Sequence, residues 1–116
     1  MPPSFGATSV RIHPSCDEAY ARLEHQAREG RKPQASIWKS LQTAFLRAKR
    51  DAQFADPIPA KAIPRYFRDT YGATNLYCAD LAGFWRCFYT IEGRTVVFLD
   101  AIDHGRYDEW FPNKGK

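Results

Sequence analysis

The sequence predicts an α+β fold: a two-layer sandwich in which an N-terminal helical hairpin packs on a small antiparallel β-sheet. Three observations carry this expectation. Residues 17–53 place apolar side chains at three- and four-residue spacing, the mark of amphipathic helices. Residues 74–102 instead hold three aromatic and β-branched runs, separated by Ala82-Gly83 and Glu92-Gly93. Helices grouped before strands, rather than alternating with them, lie on one side of a sheet. At 116 residues the chain is expected to form a single domain, 1–116, around one core.

In chain order, Met1 to Ala7 carries Pro and Gly and reads as a loose lead-in. Thr8 to His13 sets Val10 and Ile12 against Arg11, as a short strand does, and Pro14 ends it. Ser15 and Glu18 stand at capping-box spacing, so a helix is expected from Cys16 or Asp17 to Gly30, with Tyr20, Leu23 and Ala27 inward. Pro33 separates it from a second helix, Ser36 to Gln53, whose stripe is Ile37, Leu41, Ala44, Phe45 and Ala48. Pro57, Pro59 and Pro64 deny residues 56–64 a regular helix or central strand, and residues 63–71 have room for a short helical turn. Strands are expected at 74–80, 84–91 and 95–102, with 103–110 closing the chain as a short helix or an extended edge. The first strand is expected to join an edge of this meander after the helices cross over.

Composition narrows the class. Hydrophobic residues make up 44% and charged residues 26%, ordinary for a globular chain, while aromatics reach 15% and replace part of an aliphatic core. No apolar run approaches the roughly 18 residues of a membrane span, and no charged-then-apolar leader opens the sequence. Cys16, Cys78 and Cys87 are odd in number and form no C-x-x-C pair, which argues against a disulfide framework or a zinc site and for a reducing cytoplasm. No metal and no cofactor are expected.

Charge is uneven. The net is +4, yet residues 28–50 carry seven cations against Glu29 alone, and Lys61, Arg65 and Arg68 follow. From 100 to 110 the sign reverses, with Asp100, Asp103, Asp108 and Glu109 against Arg106. A basic half of this kind suits nucleic acid or an acidic protein.

Arg86 stands inside an aromatic strand, between Trp85 and Phe88-Tyr89, where a hairpin needs no charge. A planar, always-charged fork matches two phosphate oxygens and offsets charge building on phosphorus. His104, just past the last strand, is a candidate general acid or base near neutral pH. Tyr107 is a candidate for stacking on a base or donating to phosphate, or for packing with Trp110 and Phe111. Lys61, Arg65, Arg68, Lys49 and Arg50 are candidate RNA contacts, though Lys49 and Arg50 also complement the negative end of the second helix. His13 and His25 read as structural. No serine sits in a nucleophile-elbow glycine pattern, which argues against a serine hydrolase.

The element order, together with Pro64-Arg65-Tyr66-Phe67, Asn75-Leu76-Tyr77, Leu81, Trp85-Arg86-Cys87-Phe88-Tyr89-Thr90-Ile91 and Asp103-His104 followed by Tyr107, resembles the RelE/ParE superfamily of toxins from toxin–antitoxin pairs. In wording the resemblance runs from Ile58 onward. For a RelE-like member it implies a metal-independent endoribonuclease that cleaves messenger RNA, often on the ribosome, through attack of the ribose 2′-OH on the adjacent phosphodiester. Arg86, His104 and Tyr107 would then be catalytic, and a cognate antitoxin would hold the protein inactive. The ParE-like branch implies instead a DNA gyrase inhibitor, and a non-catalytic RNA- or protein-binding module of the same fold is the third alternative. Residues 103–107 are more acidic than the basic tail typical of ribosome-dependent nucleases, and acids beside an RNA site weaken phosphate attraction.

Overall fold

The structure, a computed structural model, describes residues 9–111; the expected lead-in, Met1 to Ala7, and Thr8 of the expected first strand lie outside them. Within these residues β1 (Ser9–Ile12), β2 (Asp56–Pro57), β3 (Tyr77–Asp80), β4 (Arg86–Glu92) and β5 (Thr95–Ile102) form one sheet, ordered β1-β5-β4-β3-β2. The described helices are α1 (Asp17–Arg28), α2 (Lys32–Arg50), α3 (Arg65–Tyr71) and α4 (His104–Trp110). β1 runs parallel to β5, and the other pairings are antiparallel. The α+β class expected from the sequence is what the chain forms, with β1 at an edge as the crossover requires.

Side chains on β4 and β5 alternate between two apolar clusters. Cys87, Tyr89, Val96 and Phe98 pack with Tyr20 of α1 and Ile37, Leu41, Ala44 and Ala48 of α2. Phe88, Val97 and Leu99 pack instead with Ile58, Ile63, Phe67 of α3 and Tyr107 of α4. Successive strand side chains point to opposite faces, so these clusters lie on opposite sides of the sheet. The expectation of two layers with all helices on one side is therefore corrected: helices cover both faces. Burial of every residue from Cys87 to Thr90 and from Val96 to Leu99 is the physical reason, because a sheet wet on one face would leave alternate positions exposed.

Register along β4 and β5 shifts once. Tyr89 pairs with Phe98 but Cys87 with Ala101, so β5 spends one extra residue between them. Such a bulge re-aims the side chains that follow it. Ala101, like Phe98, consequently packs toward α1 and α2, and the Asp100 carboxylate meets Tyr71 at the end of α3.

Local details depart from the sequence reading at the starts of α1 and α2, and β3 and β4 begin at Tyr77 and Arg86 rather than at 74 and 84. α2 starts at Lys32 rather than Ser36, since Pro33 falls in its first turn, where a missing N–H costs nothing. The expected capping box at Ser15 and Glu18 does not form. A 3-10 turn over Pro14–Cys16 precedes α1, and His13 Nδ1 accepts from the Ser15 amide at 3.1 Å. His13 also sets its ring edge-on to Tyr71, with centroids 4.8 Å apart. Residues 56–64 behave as their prolines dictate, supplying a two-residue edge strand and a 3-10 turn.

Candidate functional site

Arg86 opens β4 and shares the α4-facing side of the strand with Phe88. Its register partner on β3 is Asp80, and the two side chains form an ion pair. The guanidinium also lies over the Tyr107 ring, 4.6 Å from its centroid. Arg86 is left 25% exposed while Asp80 is 82% exposed, so the cation is anchored and its counter-ion is not. Long side chains held along a stem and an aromatic face keep a charged head at the surface in a defined place.

α4 supplies the rest. Asp103 caps it, Oδ1 accepting from the Arg106 amide at 2.9 Å, which starts the helix at His104 despite Gly105. His104 is half-exposed, and its Nε2 lies 3.3 Å from Oδ2 of Asp108, one turn along the same helix. The two side chains, each more than half exposed, are close enough to form an ion pair when the imidazole is protonated. Tyr107 faces inward and is buried at 5% exposure, with its ring centroid 4.8 Å from Phe111 and 6.4 Å from Phe88. Packing, rather than stacking on an incoming base, is what this position provides. Tyr107 is the support on which Arg86 rests.

The remaining candidates fall into two groups. Lys61 lies in the 3-10 turn Ala60–Ala62, and Arg65 and Arg68 are on α3, in the same layer as α4. Trp110 joins the two helices, with its ring 5.0 Å from Tyr66 and 5.0 Å from Phe67. Both α3 arginines have local partners: Arg65 pairs with Asp69 at 3.2 Å, and Arg68 donates to the Ala60 carbonyl. Lys49 and Arg50 end α2, on the opposite face of the sheet, so the fold does not gather them with Arg86. Lys49 instead lines a shallow groove with Ile12, Phe45 and Leu46.

One residue of this region was not singled out in the sequence. Phe84 is 79% exposed, adopts φ +63°, and sets its ring centroid 6.4 Å from that of His104. A bulky residue in the left-handed region is strained, and such strain collects at functional sites. The signal was faint: Ala82-Gly83 marked a turn, and Phe84 looked like the first residue of the strand. Gly83, also left-handed at φ +67°, and a bond from the Ala82 amide to Ser40 Oγ at 3.1 Å hold the loop outward instead.

Phe84, Arg86 and His104 thus stand around one end of the sheet: an exposed aromatic face, an anchored guanidinium and a half-exposed imidazole. No protein-family model, no curated protein and no solved structure matches this chain.

Proposed function

We propose that this protein is a RelE/ParE-type toxin, a metal-independent endoribonuclease acting on messenger RNA in the cytoplasm and restrained by a cognate antitoxin. The placement of Arg86 and His104 at one end of the sheet, with Phe84 beside them, is the observation that carries the reading. The fold class adds support. Four helices and one five-stranded, mostly antiparallel sheet among the described residues are compatible with a fold of that α+β class.

On this reading a base stacks on Phe84, and Arg86 binds the scissile phosphate in place of Asp80. The exchange of one anion for another costs little, because Asp80 is mostly solvated. The ribose 2′-oxygen forms a bond to phosphorus while the bond from phosphorus to the 5′-oxygen breaks. One proton leaves the 2′-OH and one joins the 5′-oxygen; His104 serves one transfer and water the other. The products are a 2′,3′-cyclic phosphate and a free 5′-hydroxyl. Lys61, Arg65 and Arg68, in the α4 layer, extend the phosphate-binding surface.

The Arg86–Asp80 pair also favours a second reading: a module of the same fold that binds RNA or protein without cleaving, in which Arg86 is purely structural. Inducible expression of wild type, Arg86→Ala and His104→Ala, with growth curves and mapping of RNA 5′ ends, separates the two. New ends and arrest with wild type only support the nuclease. Arrest by all three proteins without new ends points to gyrase or another target. No arrest by any of them leaves the binding module.

A further inference from the structure

On the α1 side of the sheet, apart from Arg86 and His104, a cavity of about 200 Å³ opens between α1 and the end of β5. Leu23 and Gln26 of α1, Trp85 and Asp100 are among its walls. Asp100 Oδ2 accepts a hydrogen bond from the Tyr71 hydroxyl at 2.9 Å, yet no cation pairs with this carboxylate among the described residues. Arg22, also in the wall, is turned along α1 toward Glu18 at 3.4 Å. An indole, aliphatic walls and an unpaired carboxylate therefore share one small hollow.

The carboxylate is held in place before any ligand arrives. Tyr71 spends its single proton on Asp100, so the Tyr66 hydroxyl and the Cys16 thiol, each 3.3 Å away, donate to the Tyr71 oxygen. A fixed acceptor loses little freedom on binding a donor. Burial first, then the hydrogen bonds with Cys16, Tyr66 and Asp100 and the charge of Asp100, keep Tyr71 in its protonated, donating form.

We infer that this cavity binds a small organic ammonium, with its charged end at Asp100 and its carbon body against Trp85 and Leu23. The carboxylate supplies the counter-charge, and the indole with the aliphatic walls a place for methylenes. A neutral alcohol of the same shape lacks the charge pairing, and an anion is repelled. The inference does not depend on the proposed nuclease.

The test is titration of the intact protein with n-butylammonium chloride at constant ionic strength, following the indole N–H of Trp85 by heteronuclear NMR, with n-butanol as the neutral control. A saturable shift with the ammonium only is expected. Asp100→Asn preserves an acceptor for Tyr71 but removes the charge, and should weaken binding by about tenfold or more. Ala19→Trp, at an exposed position of α1 in the cavity wall, should block the mouth without touching Asp100. That variant decides the matter if Asp100→Asn fails to fold. Equal shifts with n-butanol, unchanged affinity in Asp100→Asn or Ala19→Trp, or no saturation at all would overturn the inference.

Discussion

The Arg86 guanidinium lies 4.6 Å from the centroid of the Tyr107 ring, joining the first residue of β4 to the middle of α4 across the second core. Because Tyr107 is buried and Arg86 only partly so, the ring acts as a platform and the cation as what it presents. α4 and the candidate site therefore form one mechanical unit.

Tyr107→Ala should cost about 3–5 kcal/mol in urea denaturation, the usual loss for a buried aromatic. Tyr107→Phe keeps the platform and should stay within about 1 kcal/mol of wild type. If Tyr107→Phe loses RNA cleavage while its stability is intact, the hydroxyl takes part in the chemistry and the platform role is insufficient.

Asp80→Asn removes the counter-ion of Arg86 at an exposed position, so stability should change by less than about 1 kcal/mol. RNA affinity, measured by fluorescence anisotropy with a short single-stranded oligonucleotide, should rise because the guanidinium no longer has an anion to exchange. An unchanged or weaker affinity would argue that Arg86 is not a phosphate ligand.

Phe84→Gly should raise stability by about 0.5–1 kcal/mol, since glycine adopts φ +63° freely while phenylalanine does not. RNA binding should fall in the same variant. Stability gained with RNA affinity unaltered would make the exposed ring incidental.

Stability should hold up to about pH 9 and decline above it. Burial pushes the Cys87 thiol and the Tyr20 hydroxyl above their ordinary values, and nearby thiols add to the effect. In the unfolded chain these groups release protons near their ordinary values, whereas the native state holds them, so the unfolded state binds fewer protons as pH rises. The slope is about 1.4 kcal/mol per pH unit for each group deprotonated only in the unfolded chain. Tyr20→Phe should flatten the decline in chemical denaturation between pH 9 and 11 (roughly the window set by the ordinary thiol and phenol values). A slope equal to wild type would show that Tyr20 ionises in the native state.

Much of the fold was legible because its signals are local. Ile37, Leu41, Ala44 and Ala48 repeat at helical spacing and are all buried along α2. Glu92-Gly93 marked the turn between β4 and β5, where Gly93 takes φ +64°. The start of α2 was missed because Pro33 reads as a breaker in a string but is accommodated in a first turn. The second core was missed because Ile58, Ile63, Phe67 and Tyr107 are scattered among short segments, none of which is periodic long enough to announce a buried face.

The candidate site shows the same division. Arg86 and His104 stood out as residue types in unusual surroundings, which a sequence displays. Their partners did not, because pairing is a matter of distance. Register sets Asp80 opposite Arg86, and the docking of α4 on Phe88 sets Tyr107 beneath it. By itself the sequence determined which segments become helix or strand, since backbone preference and side-chain periodicity act over a few residues. Tertiary structure alone decided that both sheet faces are covered, that Lys49 and Arg50 lie in a different layer from Arg86, and that Phe84 stands exposed beside His104. Those outcomes depend on how apolar faces find one another across long chain separations, where local preference carries no information.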